Sequence, residues 1–367
     1  MNIGIPKERR PSEFRVGLSP AGVEILTHAG HTIFVEHEAG LGAGFSDQEY
    51  ERAGARIAYS AEEVFGRADL LLKFARPLKE ELEWMRSRTV LAGLLHLASA
   101  RQDKIEIMMK NKITAIAYEQ IEEADGTTPV KKPLAQIGGR MTAHIAAHFM
   151  QNYKGGKGIL LSGIPGVPPA EVVIIGAGVA GTSATQAFLG NGAHVTVLDI
   201  DLHALQRLEE RFTQAVTMMA TPKNIARTCA FADVVVGAVL VPGERSPIVL
   251  KREVVRKMKP RSLIIDMSID QGGCVETSRP TTHDQCTFIE EGVIHYCVPN
   301  IPAAVARTAT HAFVNAAMPY ILELANKGVQ HAIAENAALE KAVCTLDGRL
   351  VHLARLSGLA GGAYGLD

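Results

Sequence analysis

Gly176, Gly178 and Gly181 stand in the spacing G-x-G-x-x-G, directly after the apolar run Val172-Val173-Ile174-Ile175. That order calls for a strand, a tight turn and a helix. Gly176 lets the chain turn sharply out of the strand and Gly178 lets backbone approach a pyrophosphate. Gly181 lets the helix that opens at Val179 pack close to the strand. The helix N-terminus offers unpaired N–H groups to phosphates. A second strand, Val195-Thr196-Val197-Leu198, ends in Asp199, where such a motif places a carboxylate for the adenosine ribose 2′-OH. A carboxylate accepts from ribose hydroxyls and repels a 2′-phosphate. Ile200, Asp201, Leu202 and His203 follow, with no arginine before Arg207. The pattern points to NAD rather than NADP.

Other residues could do chemistry but are ambiguous alone. Arg15 follows the first strand in a loop, and a guanidinium grips a carboxylate in a two-point fork. His96 closes an apolar strand, where ligand crevices of open parallel sheets lie, and an imidazole relays protons near neutral pH. Asp270 ends a strand and precedes Gln271-Gly272-Gly273, whose glycines permit close backbone approach. By position alone these read as a surface arginine, a structural histidine and a turn aspartate. Asp266, inside the strand, reads as structural and bonded to backbone. His144 and His148 lie one helical turn apart, but no H-E-x-x-H surrounds them and no third ligand is evident, so they read as helix surface or subunit contact rather than a metal site.

The elements that must position these groups alternate. Ile3–Ile5 and Ile33–Val35 read as strands, and Ser19-Pro20 opens a helix between them with serine as cap and proline at the first position. Leu70–Phe74, Thr89–Leu95 and Thr114–Tyr118 read as further strands, with amphipathic helices around 78–86 and 99–111. Such alternation implies a parallel sheet with helices on both faces. A long helix from about Pro133 to Asn152 leads to the nucleotide unit, whose strands are Val172–Ile175, Val195–Asp199, Val234–Val239, Leu263–Met267 and Ile294–Val298. A second long helix spans about Ala309 to Lys327. The Ala-rich final 40 residues read as helical and too small to fold alone. They are expected to rejoin the first domain. The reading is an α/β chain of two Rossmann-like domains with parallel sheets, a cleft between them and long bridging helices. Residues 1–130 and 306–367 form the substrate domain and 131–305 the NAD domain.

The chain of 367 residues is 47% hydrophobic and 21% charged, the composition of a soluble globular protein. Net charge −1 argues against a nucleic-acid partner. No apolar stretch is long enough to span a membrane, and no signal-peptide pattern opens the chain. Five cysteines without C-x-x-C spacing read as reduced thiols of a cytoplasmic protein.

Motifs along nearly the whole chain resemble the alanine dehydrogenase/transhydrogenase family. They are Ile5-Pro6-Lys7-Glu8 with Glu13-Phe14-Arg15-Val16, Leu94-Leu95-His96-Leu97-Ala98, and Gly163-Ile164-Pro165-Gly166-Val167. Further on come Gly237-Ala238-Val239-Leu240-Val241-Pro242-Gly243, Ile269-Asp270-Gln271-Gly272-Gly273 and Ser278-Arg279-Pro280-Thr281-Thr282. The resemblance implies NAD-dependent, reversible oxidative deamination of L-alanine to pyruvate and ammonium, and a homo-oligomer, typically a hexamer. It assigns the substrate carboxylate to Arg15 and acid/base work to His96 and Asp270. Val239 and Leu240 then line the cofactor, and Asn300 contacts cofactor and substrate.

One segment departs from the family. Alanine dehydrogenases usually carry Lys-Val-Lys-Glu-Pro where this chain has Lys73-Phe74-Ala75-Arg76-Pro77. The family's second lysine helps bind the substrate and is here Ala75, while the adjacent acid is Arg76. Either Arg76, with Lys73, serves the same oxygen, or the substrate differs. Losing one charge-assisted hydrogen bond would cost about 1.5–3 kcal/mol. Ala135 and His203 are smaller departures in the cofactor region. Two alternatives stand beside alanine deamination: a related amino-acid or opine dehydrogenase, and a non-catalytic transhydrogenase-like NAD(H)-binding module.

Overall fold

A computed structural model describes residues 1–241 and 245–352. Pro242 and Gly243 of the sequence motif, and the last 15 residues of the tail read as helical, lie outside the described residues. The chain divides into two compact units, Met1–Leu134 with the segment from Ala303 on, and Ala135–Pro302. The first boundary falls within the helix Lys131–Phe149, and the second within the 3-10 turn Ile301–Val305 that leads into the helix Ala306–Lys327.

The first unit begins with strands β1 (Asn2–Ile5), β2 (Thr32–Glu36), β3 (Arg56–Ala58), β4 (Leu70–Ala75), β5 (Val90–Leu94) and β6 (Thr114–Ala117). All pair in parallel, in the spatial order β6-β5-β4-β1-β2-β3. Strands such as Val90-Leu91-Ala92-Gly93-Leu94 are buried along their whole length, as a sheet covered on both faces requires. Ser19 caps the helix Pro20–His28 by accepting from Gly22 N, with Pro20 at its start as expected. The helix Ala306–Lys327 buries Ala306, Phe313, Ala317, Ile321 and Leu324 in this core, a repeat at helical spacing.

The second unit carries β7 (Glu171–Ile175), β8 (His194–Asp199), β9 (Val216–Met219), β10 (Val234–Gly237), β11 (Leu263–Asp266), β12 (Thr287–Glu290) and β13 (Val293–Tyr296). Its order is β12-β13-β11-β10-β7-β8-β9, parallel except for β12 against β13. The sequence reading missed β9 and β12. Neither is buried along its length: β9 lies at one edge and β12 at the other. A half-exposed edge strand lacks the continuous apolar run that marks a central one.

The tail differs from expectation. Two short helices, Val329–Glu335 and Ala337–Lys341, lead into β14 (Val343–Leu346) and β15 (Arg349–Leu350). β14 pairs antiparallel with β6, so the segment read as helical completes the first sheet with strand. Val343-Cys344-Thr345 is β-branched or small and is buried against that sheet, which outweighs the alanine-rich composition before it.

Candidate active site

In the first unit the predicted residues gather where parallel strands end. Arg15 lies on the loop after β1, Arg76 directly after β4, and His96 two residues after β5. Glu119 follows β6. These four strands are neighbours in the sheet, so their carboxyl ends place the four loops side by side.

Arg15 is 5% exposed. Its Nε donates to Glu13 at 2.6 Å and its Nη2 pairs with the other Glu13 oxygen. The guanidinium lies over the Phe74 ring, 3.9 Å from the centroid, so β4 fixes its plane. His96 has φ +44°, a strained value for a residue with a Cβ. Glu119 accepts from the N–H groups of Leu95 and His96 at 3.0 and 2.6 Å, and one of its oxygens lies 3.9 Å from His96 Nδ1. The imidazole is exposed above this fixed backbone. Glu119 was not singled out from the sequence; its signal is an acid two residues beyond the carboxyl end of a buried strand.

Lys73 lies inside the first unit. Its side chain is fully enclosed, with Nζ 3.1 Å from Glu8 and 2.9 Å from Glu81. Glu8 also accepts from Phe74 N at 2.6 Å. Burial works against the Lys73 charge, but the two carboxylates outweigh it and raise its pKa. Burial raises the Glu8 pKa, with the Lys73 charge opposing. An ammonium committed to two buried acids binds strand β4 to the loop after β1 and to the helix Lys79–Trp84. Arg76 Nη1 donates to His96 O at 3.1 Å and to Ser99 Oγ at 3.2 Å.

In the second unit the nucleotide motif has its expected form. Gly176 has φ +110°, and a Cβ there would stand 2.3 Å from Ala238 O. A Cβ on Gly181 would stand 1.8 Å from Gly176 O, so only glycine permits this strand–helix approach. A Cβ on Gly178 would meet nothing within 4 Å, leaving room beside the N-terminus of the helix Val179–Gly190. Gly139, unremarked in the sequence, lets the helix Lys131–Phe149 approach the same helix: its Cβ would lie 2.2 Å from Ala180 O. Asp199 ends β8 and accepts from Ala177 N at 2.5 Å and Asp201 N at 2.8 Å. The carboxylate therefore stands against the glycine turn, beside the first strand of the motif. This glycine cradle, the helix N-terminus and the terminal acid fit a dinucleotide.

Asp270 is exposed on the turn Ile269–Gln271, and its Oδ2 accepts from Asn300 N at 3.2 Å. The turn is held from beneath. Asp266, wholly buried, accepts from the N–H groups of Ser268, Cys274 and Val275 at 3.0, 3.0 and 3.2 Å. It is structural, as read from the sequence. Ser268, which sequence reasoning passed over, ties this turn to β10: its Oγ donates to Val239 O at 2.7 Å and accepts from Val239 N at 3.1 Å. Leu240 is exposed beside it. Asp270, Asn300, Val239 and Leu240 thus belong to one group of loops at the carboxyl ends of β10, β11 and β13.

His144 and His148 are exposed on the helix Lys131–Phe149, and His148 packs edge-on against Phe149. Among the described residues no three His, Cys, Asp or Glu side chains are grouped to hold a metal, and no helix is long and apolar enough to cross a membrane.

Residues 4–138 match the alanine dehydrogenase/PNT N-terminal domain and residues 142–353 the alanine dehydrogenase/PNT C-terminal domain. An alanine dehydrogenase of Methanococcus maripaludis is 46% identical over 354 residues, 96% of this chain and 95% of the relative. A solved L-alanine dehydrogenase superposes with a TM-score of 0.94 at 43% identity, covering 97% of this chain and 98% of the other. A transhydrogenase of Sinorhizobium meliloti has a TM-score of 0.84 at 25% identity, covering 96% and 100%.

Proposed function

The chain belongs to the alanine dehydrogenase/PNT family, and from that premise we propose how its residues carry out NAD-dependent oxidative deamination of L-alanine. The overall change is alanine, NAD and water to pyruvate, ammonium and NADH with release of a proton, and it is reversible. The observation that carries the reading is the match over nearly the whole length to curated alanine dehydrogenases, in a chain that keeps Arg15, His96 and Asp270.

The first unit is the substrate domain. Arg15 takes the alanine carboxylate. Its Nε–Nη2 edge is engaged by Glu13 and its plane is set by Phe74, so the substrate meets the Nη1 side of a pre-oriented cation. His96 is the general acid/base for the imine and carbinolamine steps: it takes a proton from attacking water and returns one to the departing amine. The second unit is the NAD domain. Gly176, Gly178, Val179 and Gly181 receive the pyrophosphate, and Asp199 the ribose. Val239, Leu240 and Asn300 line the rest. When bound, NAD supplies the hydride acceptor for the α-carbon. Asp270 stabilises the cationic amine and imine and helps polarise the water.

Membership of this family supports a cytoplasmic homo-hexamer, which size-exclusion chromatography with light scattering tests. Activity is tested by following NADH absorbance with NAD and a panel of L-amino acids. Alanine is expected to react fastest. Absence of NADH with every amino acid, while NAD still binds, overturns the reading. Faster NADH consumption by pyruvate with a second amino acid than by pyruvate with ammonium identifies the opine reaction instead.

A further inference from the structure

The backbone of His96 is held from both sides by groups the reaction does not use. Glu119 takes the Leu95 and His96 N–H groups on one side. On the other, the His96 carbonyl receives Arg76 Nη1 at 3.1 Å, Ser99 N at 3.0 Å and Ser99 Oγ at 2.9 Å. Arg76 also donates to Ser99 Oγ, closing a small ring of bonds. Arg76 is itself fixed, because Arg10 Nε donates to its carbonyl at 2.9 Å. Three loops, after β1, β4 and β5, are therefore linked in series through two guanidinium groups. A residue with positive φ persists only where its surroundings over-determine it. At His96 they do so while the ring is 61% exposed.

We propose that Arg76 is a positioning residue for His96, holding the strained His96 carbonyl so that the imidazole projects from a fixed point. It does not stand in for the lysine missing at Ala75 as a ligand of the substrate. The inference rests on the alanine dehydrogenase reading above and adds a role to a residue that departs from the family pattern. The guanidinium donates to a carbonyl and a hydroxyl of the His96 turn, and both acceptors belong to backbone or side chains that place the imidazole.

The test compares wild type, R76A, R76K, H96Q and H96Q/R76A, with kcat and KM for alanine at saturating NAD. R76A is expected to lower kcat about 10- to 100-fold, the scale of a small misplacement of an acid/base group, with KM for alanine changed less than about threefold. R76K should recover most of the loss, since an ammonium can donate to the same two oxygens. In the H96Q background, removing Arg76 should change kcat less than about twofold, because a residue acting through another has no effect once that other is gone. A substrate-independent readout accompanies these: ethoxyformylation of the His96 peptide, followed by mass spectrometry, should change rate in R76A while the His144 peptide does not. A rise in alanine KM with unchanged kcat overturns the proposal and makes Arg76 a substrate ligand. Equal losses in both backgrounds, or an unchanged His96 labelling rate, also overturn it. If wild type forms no NADH, the activity reading fails, and the labelling still decides the role of Arg76.

Discussion

Lys73 shows how far a side chain's role depends on what surrounds it. A lysine at the carboxyl end of a sheet strand is an ordinary ligand for a carboxylate. Here Glu8 and Glu81, from two other segments, enclose it completely. Removing one partner of a buried ionic cluster leaves the others uncompensated, so K73A should lose about 3–5 kcal/mol at neutral pH, measured by urea unfolding. The pH dependence has a defined sign. The folded pKa of Lys73 lies above its usual value, so its contribution is fully present below pH 10.5 and is lost as pH climbs through the raised value. The gap between wild type and K73A should therefore narrow at strongly alkaline pH. Glu8 is also raised, so its ionisation costs stability as pH rises from about 4.5. Arg15 has the opposite history. Its type was informative from the start, but Glu13 and the Phe74 ring orient it, and neither partner is implied by the arginine.

At the scale of the element, the strand–turn–helix of the nucleotide motif separates two jobs of glycine. Gly181 is required by packing, since its Cβ would collide with Gly176 O. Gly178 is required by nothing on its own chain, and its φ of −70° suits any residue. G181A should be destabilised by about 1–3 kcal/mol, seen as a lower melting temperature. G178A should melt like wild type but lose NAD affinity by at least about tenfold in a fluorescence titration, because its methyl group occupies the approach to the pyrophosphate. A G178A protein that binds NAD normally would remove the phosphates from that turn. The turn was legible because glycine spacing encodes backbone geometry directly. The Asp266–Ser268 support beneath Asp270 was only half legible, since a serine bonding to Val239 across the sheet has no local signature.

For the whole molecule, residues 343–350 are a structural part of the first sheet. Thr345 Oγ1 donates to Ile113 O at 2.8 Å and accepts from Ala115 N at 3.1 Å, and Val343 and Cys344 are buried there. Truncation before Val343 should leave β6 unpaired along one edge and lower the melting temperature of the first unit by at least about 5 °C. NAD affinity, read by titration, should stay within about threefold, because the nucleotide motif lies in the other unit. Burial pushes the thiol pKa of Cys344 up to about 12 and that of Cys229 to about 12, so neither is a thiolate near neutral pH.

Consecutive residues were enough to place the central strands, the glycine turn and the terminal acid of β8, and to set an arginine, a histidine and an aspartate on loops at strand ends. These features are local: an apolar run, a required φ or a fixed spacing is written in consecutive residues. Only folding seals Lys73 inside, brings Arg76 to the His96 carbonyl, sets Glu119 against the backbone beside it, and makes strand of Val343–Leu346. Each depends on residues far apart in the chain whose mutual distance is set by strand order, and strand order arises from burying both faces of a sheet at once.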